Sequence, residues 1–169
     1  MTETTVHLAI WLERRLDMSL GFHLPLSRLY GIVVNDPLGL LDDAGQAART
    51  SFIEDSDDVY DMIGGSAGVL ARSFDAAAII TCGWAAPIDD ELMCVPSRHP
   101  QRRRVRVVTV IDDGGCASVI RFADEPDRMI AQPTQVEGDI VAALQAMWRG
   151  GRAEFVNSRT TVRPRHRRL

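Results

Sequence analysis

Lysine is absent from this chain: all 19 basic residues of the 169 are arginine. Arginine codons are GC-rich and lysine codons are not, so the bias reads first as a coding preference. Long apolar runs are absent as well. None approaches the roughly 18 residues that a membrane-spanning helix needs, and no membrane association is expected. The N-terminal MTETTVHLAIW has no basic segment ahead of its apolar stretch, so it does not read as a secretory signal. Cysteine is scarce. Cys82, Cys94 and Cys116 contain no CxxC pair, and an odd count without a disulfide framework suits a reducing, cytoplasmic setting. No internal repeat is visible.

What is present is an ordinary globular composition, 46% hydrophobic and 25% charged, in a length that fits one domain. The net charge of −4 conceals an uneven distribution. Residues 1–100 hold 6 arginines and 15 acids, whereas residues 101–169 hold 13 arginines and 8 acids. That pattern describes an acidic body with a basic edge and a basic arm, or two halves that attract each other.

Leu8, Leu12 and Leu16 recur at helical spacing beside Trp11. They predict a helix over 5–20 that Gly21 can cap in the left-handed conformation. Ile32-Val33-Val34 fits either a strand or the end of a short helix beginning after Ser27. Asp36-Pro37 is a helix-start pair and predicts a helix over about 37–50. The acids at 54–58 suit the N-terminus of a further helix over about 57–73, which Gly64, Gly65 and Gly68 weaken. Ala76–Ala85, a continuous apolar run, predicts a strand buried on both faces. Residues 86–101 read as a long loop.

The clearest local signal is RRRVRVVTVIDDGGCASVIRF, two β-rich runs around Asp112-Asp113-Gly114-Gly115. It predicts a hairpin over about 103–123. Alternation places Val105, Val107, Thr109 and Ile111 on one face, with Arg102, Arg104, Arg106, Val108 and Val110 on the other. A turn at Asp113-Gly114 sets Arg106 opposite Arg121, an unfavourable like-charge pair. A turn at Gly114-Gly115 avoids it. A short strand over Arg128–Ala131 follows. Thr134–Glu137 forms a capping box for a closing helix over about 135–149, ended by Gly150-Gly151. The fold expected is α+β: a single domain over 1–157 with a small antiparallel sheet packed by helices, and a basic tail over 158–169 without fixed structure.

Among motifs, Gly64-Gly65-Ser66-Ala67-Gly68 matches G-x-S-x-G, which in an α/β-hydrolase sets a nucleophilic serine on a strand-to-helix turn. Ser66 is therefore the candidate nucleophile, with Asp112 or Asp113 and His166 as acid and base. Only 65 residues precede it, however, with no oxyanion stretch, and small-residue helix packing explains the same string. Asp89-Asp90-Glu91 with Asp112-Asp113 offers oxygen ligands for a hard cation. Cys94 and His99 offer a thiolate with its base. Neither has convergent partners, so no metal and no cofactor are expected.

The remaining candidates are the arginines: Arg102, Arg104, Arg106 and Arg121 on one end of the sheet, with Arg159, Arg163, Arg165, Arg167 and Arg168 in the tail. Their planar guanidinium groups suit carboxylate or phosphate. The function expected is that of a small interaction module that binds an acidic protein partner or self-associates. Nucleic-acid binding through the same arginines is the alternative, and hydrolysis at Ser66 the second alternative. No aromatic residue alternates with these arginines along the chain, which weakens the nucleic-acid reading.

Overall fold

The computed structural model describes residues 3–35, 40–41, 47–87, 95–132 and 139–160. One seven-stranded antiparallel sheet runs through it in the order β2-β3-β1-β4-β5-β6-β7, giving the expected α+β architecture. The strands are β1 (Ser27–Val34), β2 (Leu40–Leu41), β3 (Ala47–Ser56), β4 (Ala76–Ala85), β5 (Arg103–Asp112), β6 (Gly115–Phe122) and β7 (Glu125–Gln132). Helix α1 (Glu3–Leu20) lies on one face, against β5, β6 and β7. Helices α2 (Val59–Ser73) and α3 (Asp139–Thr160) pack together on the other face, α2 against β1, β3 and β4, and α3 against β5 and β6.

The two faces follow from strand alternation. Tyr30, Ile32, Ala78, Ile80, Val108 and Val119 point to α1 and meet its buried Leu8, Leu12 and Leu16. Leu29, Ala77, Ile79, Ile111 and Cys116 point the other way, to Met62, Leu70, Leu144 and Trp148. β4 occupies the middle of the sheet, but only its first five residues are buried. From Thr81 to Ala85 it is half-buried or exposed, so the apolar run expected to be covered on both faces is covered over half its length. Trp11 packs at the margin of the core, half-buried, with Arg15 over its ring.

Several boundaries differ from the sequence reading. Within the stretch 37–50 the described residues are strands, at 40–41 and from 47 onward, because β3 pairs along the whole of β1. Ser27–Val34 is a strand, since it lies between β3 and β4 and pairs with both. The third strand of the meander begins earlier than Arg128, at Glu125, with an irregular step opposite Arg121 and Phe122. α3 runs through Gly150-Gly151 to Thr160, so the pair does not end the helix. The capping box at Thr134–Glu137 lies outside the described residues.

Two glycines have fixed tasks. Gly21, at φ 70, closes α1, its amide donating to the Asp17 carbonyl, as anticipated. Gly31 lies beneath the Phe74 ring: a Cβ there would stand 2.5 Å from its carbons.

Candidate functional site

The hairpin turns at Asp113-Gly114, pairing Asp112 with Gly115 and, further along, Arg106 with Arg121. The like-charge opposition is therefore real, and α1 resolves it. Glu13, whose side chain is fully buried, accepts from Arg106 Nε (2.8 Å) and Nη2 (2.8 Å) and from Arg121 Nε (2.6 Å). Asp17, one helical turn on, accepts from Arg106 Nη2 (2.7 Å) and Arg121 Nη1 (3.2 Å). The carbonyls of Gly21 and Pro126 take the remaining guanidinium N–H groups described. Burial alone would lower the Arg106 pKa, but the hydrogen bonds it donates to Glu13 and Asp17 outweigh it and hold the group above its ordinary value. Two cations and two anions make this a closed, neutral cluster. Arg106 and Arg121 are thus committed to the interior and do not belong to an open binding face.

Arg102 and Arg104 stand differently. Trp84, directly across from Arg104 on β4, has both guanidinium groups over its indole ring, at 5.0 and 4.7 Å from the centroid. Arg104 Nη2 donates to His23 Nδ1 at 2.7 Å, which requires that nitrogen to be the unprotonated one. Among the described residues Arg102 Nη1 reaches only the His99 carbonyl, at 3.5 Å. Neither arginine pairs with a carboxylate among the described residues, and Trp84 is 36% exposed. The connection from α1 to β1 is pinned alongside β4 by Cys82 Sγ donating to the Phe22 carbonyl. It carries His23 and the exposed Leu26. The result is a basic surface with an aromatic floor at the end of the sheet away from the Asp113-Gly114 turn.

The sequence reading missed Trp84 because the pairing is across strands. Twenty residues separate it from Arg104, and only the β4–β5 register brings them together. Arg103, on the opposite face, is neutralised: it pairs with Asp124 (2.7 Å) and Glu125 (2.6 Å) and lies over Phe122.

Arg159 falls in the last turn of α3, one residue before its end. Arg163, Arg165, Arg167 and Arg168 lie outside the described residues, as do His166, Cys94 and Asp89–Glu91. Ser66 is in the middle of α2, buried, with Oγ donating to Glu54 Oε2 at 3.2 Å. A nucleophile elbow requires a strand, a sharp turn and a helix. Here the whole G-x-S-x-G string is helical, so the elbow geometry is absent.

The turn acids have structural partners. Asp112 accepts from Thr5 Oγ1 and the Gly114 amide, and Asp113 from Trp148 Nε1 (2.9 Å) and Arg152 Nε (3.0 Å). These bonds tie the hairpin tip to α1 and to α3. Among the described residues no group of three His, Cys, Asp or Glu side chains converges as a metal site, and no helix is long and apolar enough to cross a membrane. Comparison with protein-family models, curated proteins and solved structures gives no match to this chain.

Proposed function

We propose that this protein is a small interaction module that docks an acidic protein segment on the Trp84–Arg102–Arg104 end of its sheet. The observation that carries the reading is the contrast among the sheet arginines. Arg103, Arg106 and Arg121 each have carboxylate partners, whereas Arg102 and Arg104 rest on an exposed indole with none among the described residues. Beyond the bond of Arg104 Nη2 to His23 and the long one of Arg102 Nη1 to the His99 carbonyl, the guanidinium groups held over the indole keep N–H groups that can meet a carboxylate. Arg159 and the arginines at 163, 165, 167 and 168 add long-range attraction to the same class of ligand. The free thiols of Cys82 and Cys116 are in keeping with a cytoplasmic setting.

The test is titration with a fluorescent peptide of alternating Glu and Leu, at 50 and 300 mM salt. Arg102→Gln/Arg104→Gln is expected to weaken binding at least tenfold, and Arg163, Arg165, Arg167 and Arg168→Gln together to weaken it mainly at low salt. Equal affinity in the Arg102/Arg104 variant would reject the site. Heterogeneous single-stranded DNA or RNA serves as the competitor. Binding of either tighter than the peptide would assign the patch to nucleic acid instead.

A further inference from the structure

The end of the sheet that carries the basic patch also carries its complement. β1 pairs Ser27 with Ser56 on one side and Arg28 with Ile80 on the other, so the C-terminal ends of β3 and β4 point the same way. β3 runs out there into Asp55 and Asp57, and α2 starts with Asp58, Tyr60 and Asp61. All five are exposed, and Tyr60 is 50% accessible. Asp58 is occupied as the α2 N-cap, accepting from the Tyr60 and Asp61 amides. Asp55, Asp57 and Asp61 have no cationic partner among the described residues. The sheet order β3-β1-β4-β5 sets this acidic edge beside the Trp84–Arg104 pair. At a strand spacing of about 4.8 Å, three steps put β3 and β5 about 14 Å apart, and Trp84 lies four residues, about 13 Å, beyond Ile80, which is level with Asp55 across β1.

We infer that the acidic segment docked on Trp84, Arg102 and Arg104 is the β3–α2 junction of a second copy of this chain. The inference rests on the docking reading above and names its occupant. Two neighbouring patches of opposite sign at one end of a molecule are self-complementary under a two-fold axis passing between them. Each basic patch then meets the partner's Asp55, Asp57 and Asp61 while the partner's basic patch meets these same acids here. The contact is made twice, and the assembly closes as a dimer without growing into a filament. Tyr60 of each copy supplies an aromatic contact alongside the exposed Trp84 and Leu26. The uneven charge of the chain, acidic before residue 100 and basic after it, thereby becomes the means of recognition.

A charge swap tests the geometry. Sedimentation velocity on the full chain at 50 mM salt and about 100 μM protein is expected to show a species of twice 18.7 kDa, dissociating toward monomer at 500 mM salt. Arg102→Glu/Arg104→Glu and Asp55→Arg/Asp57→Arg should each be monomeric, since each now sets like charge against like. Mixed one to one, they should recover the dimer mass, because both contacts regain opposite signs. A monomeric wild type at 50 mM salt overturns the inference. So does a dimer that persists in either variant, or a mixture that stays monomeric while circular dichroism shows both variants folded. Should a reversal unfold the chain, Arg102→Gln/Arg104→Gln and Asp57→Asn/Asp61→Asn replace it, and dimerisation weakened less than threefold by both is the overturning result. A monomeric wild type that still binds the Glu/Leu peptide through Arg102 and Arg104 leaves the docking reading standing and removes only the second copy as occupant.

Discussion

Arg106 and Arg121 face each other across β5 and β6, and the Glu13 carboxylate hydrogen-bonds to both. Two guanidinium groups so placed repel, and only a buried anion from another element makes the register tenable. The cluster therefore fixes α1 on the sheet as well as the hairpin register, because Glu13 has no other position from which to reach both.

Glu13→Ala is expected to destabilise the protein by about 3–5 kcal/mol, since it leaves two buried cations competing for Asp17. Arg121→Met should cost less, because Glu13 and Arg106 remain paired in full. Urea denaturation of the two variants checks the order. Equal losses would show that the cluster is not organised around Glu13.

Glycines on α2 and β1 should respond in opposite directions to alanine. A Cβ at Gly64 or Gly65 meets nothing within 4 Å, so each alanine gains helix propensity without a clash and stabilises by about 0.5–1 kcal/mol. Gly31→Ala drives a methyl into the Phe74 ring and is expected to destabilise by about 1–3 kcal/mol. Thermal melts of the three variants supply the signs.

Burial, with a smaller contribution from nearby Asp112, pushes the Cys116 thiol up to about 11. It should resist a thiol-specific disulfide reagent at pH 8 in the native protein and react once urea is added. Its folded pKa lies above the unfolded one, so the neutral thiol's contribution is complete below about pH 9 and is lost as pH rises toward about 11. Cys116→Ala should flatten that alkaline decline. A decline of unchanged steepness would place its origin elsewhere.

Asp124 is held below the usual carboxylate range by the Arg103 hydrogen bond, and Glu125 by Arg128 and then Arg103. Depressed folded pKa values mean that these groups stabilise above the unfolded carboxylate range, and that the effect fades as pH falls through the folded values. All these groups are solvent-facing, so salt should weaken the effect. The stability gap between wild type and Arg103→Gln is expected to be wider at pH 7 than at pH 3, and wider at low salt. A gap independent of both would assign the role of Arg103 to its contact with Phe122 alone.

Elements defined by their own residues were legible in the sequence. The four-residue spacing of Leu8, Leu12 and Leu16 marked α1, and the apolar run from Ala76 marked β4 to both ends. Both faces of the hairpin followed from alternation. Its turn stood open between Asp113-Gly114 and Gly114-Gly115, which give the same faces, and only the strand pairing selects the first. Asp36-Pro37 misled because a local helix-start pair says nothing of the long pairing between β3 and β1. Gly150-Gly151 misled because packing of α2 on α3 outweighs the helix penalty of two glycines. At the candidate site, the arginines were recognisable by type. Their division into buried and open groups was not, since Glu13 and Trp84 meet them only through tertiary contact.

The Glu13 cluster also sets a schedule for a chain made from its N-terminus. The residues it joins are 93 and 108 positions apart. When α1 leaves the ribosome, its leucine stripe can meet Tyr30, Ile32, Ala78 and Ile80 once β1 and β4 are made, but its charged anchor waits until β5 and β6 have been synthesised and paired. Helix α1 is thus made well before the partners of Glu13 that fix it on the sheet. Until Arg121 emerges, the nascent protein carries an amphipathic helix with an unsatisfied acid, the interval in which a chaperone or a neighbouring chain has most to hold.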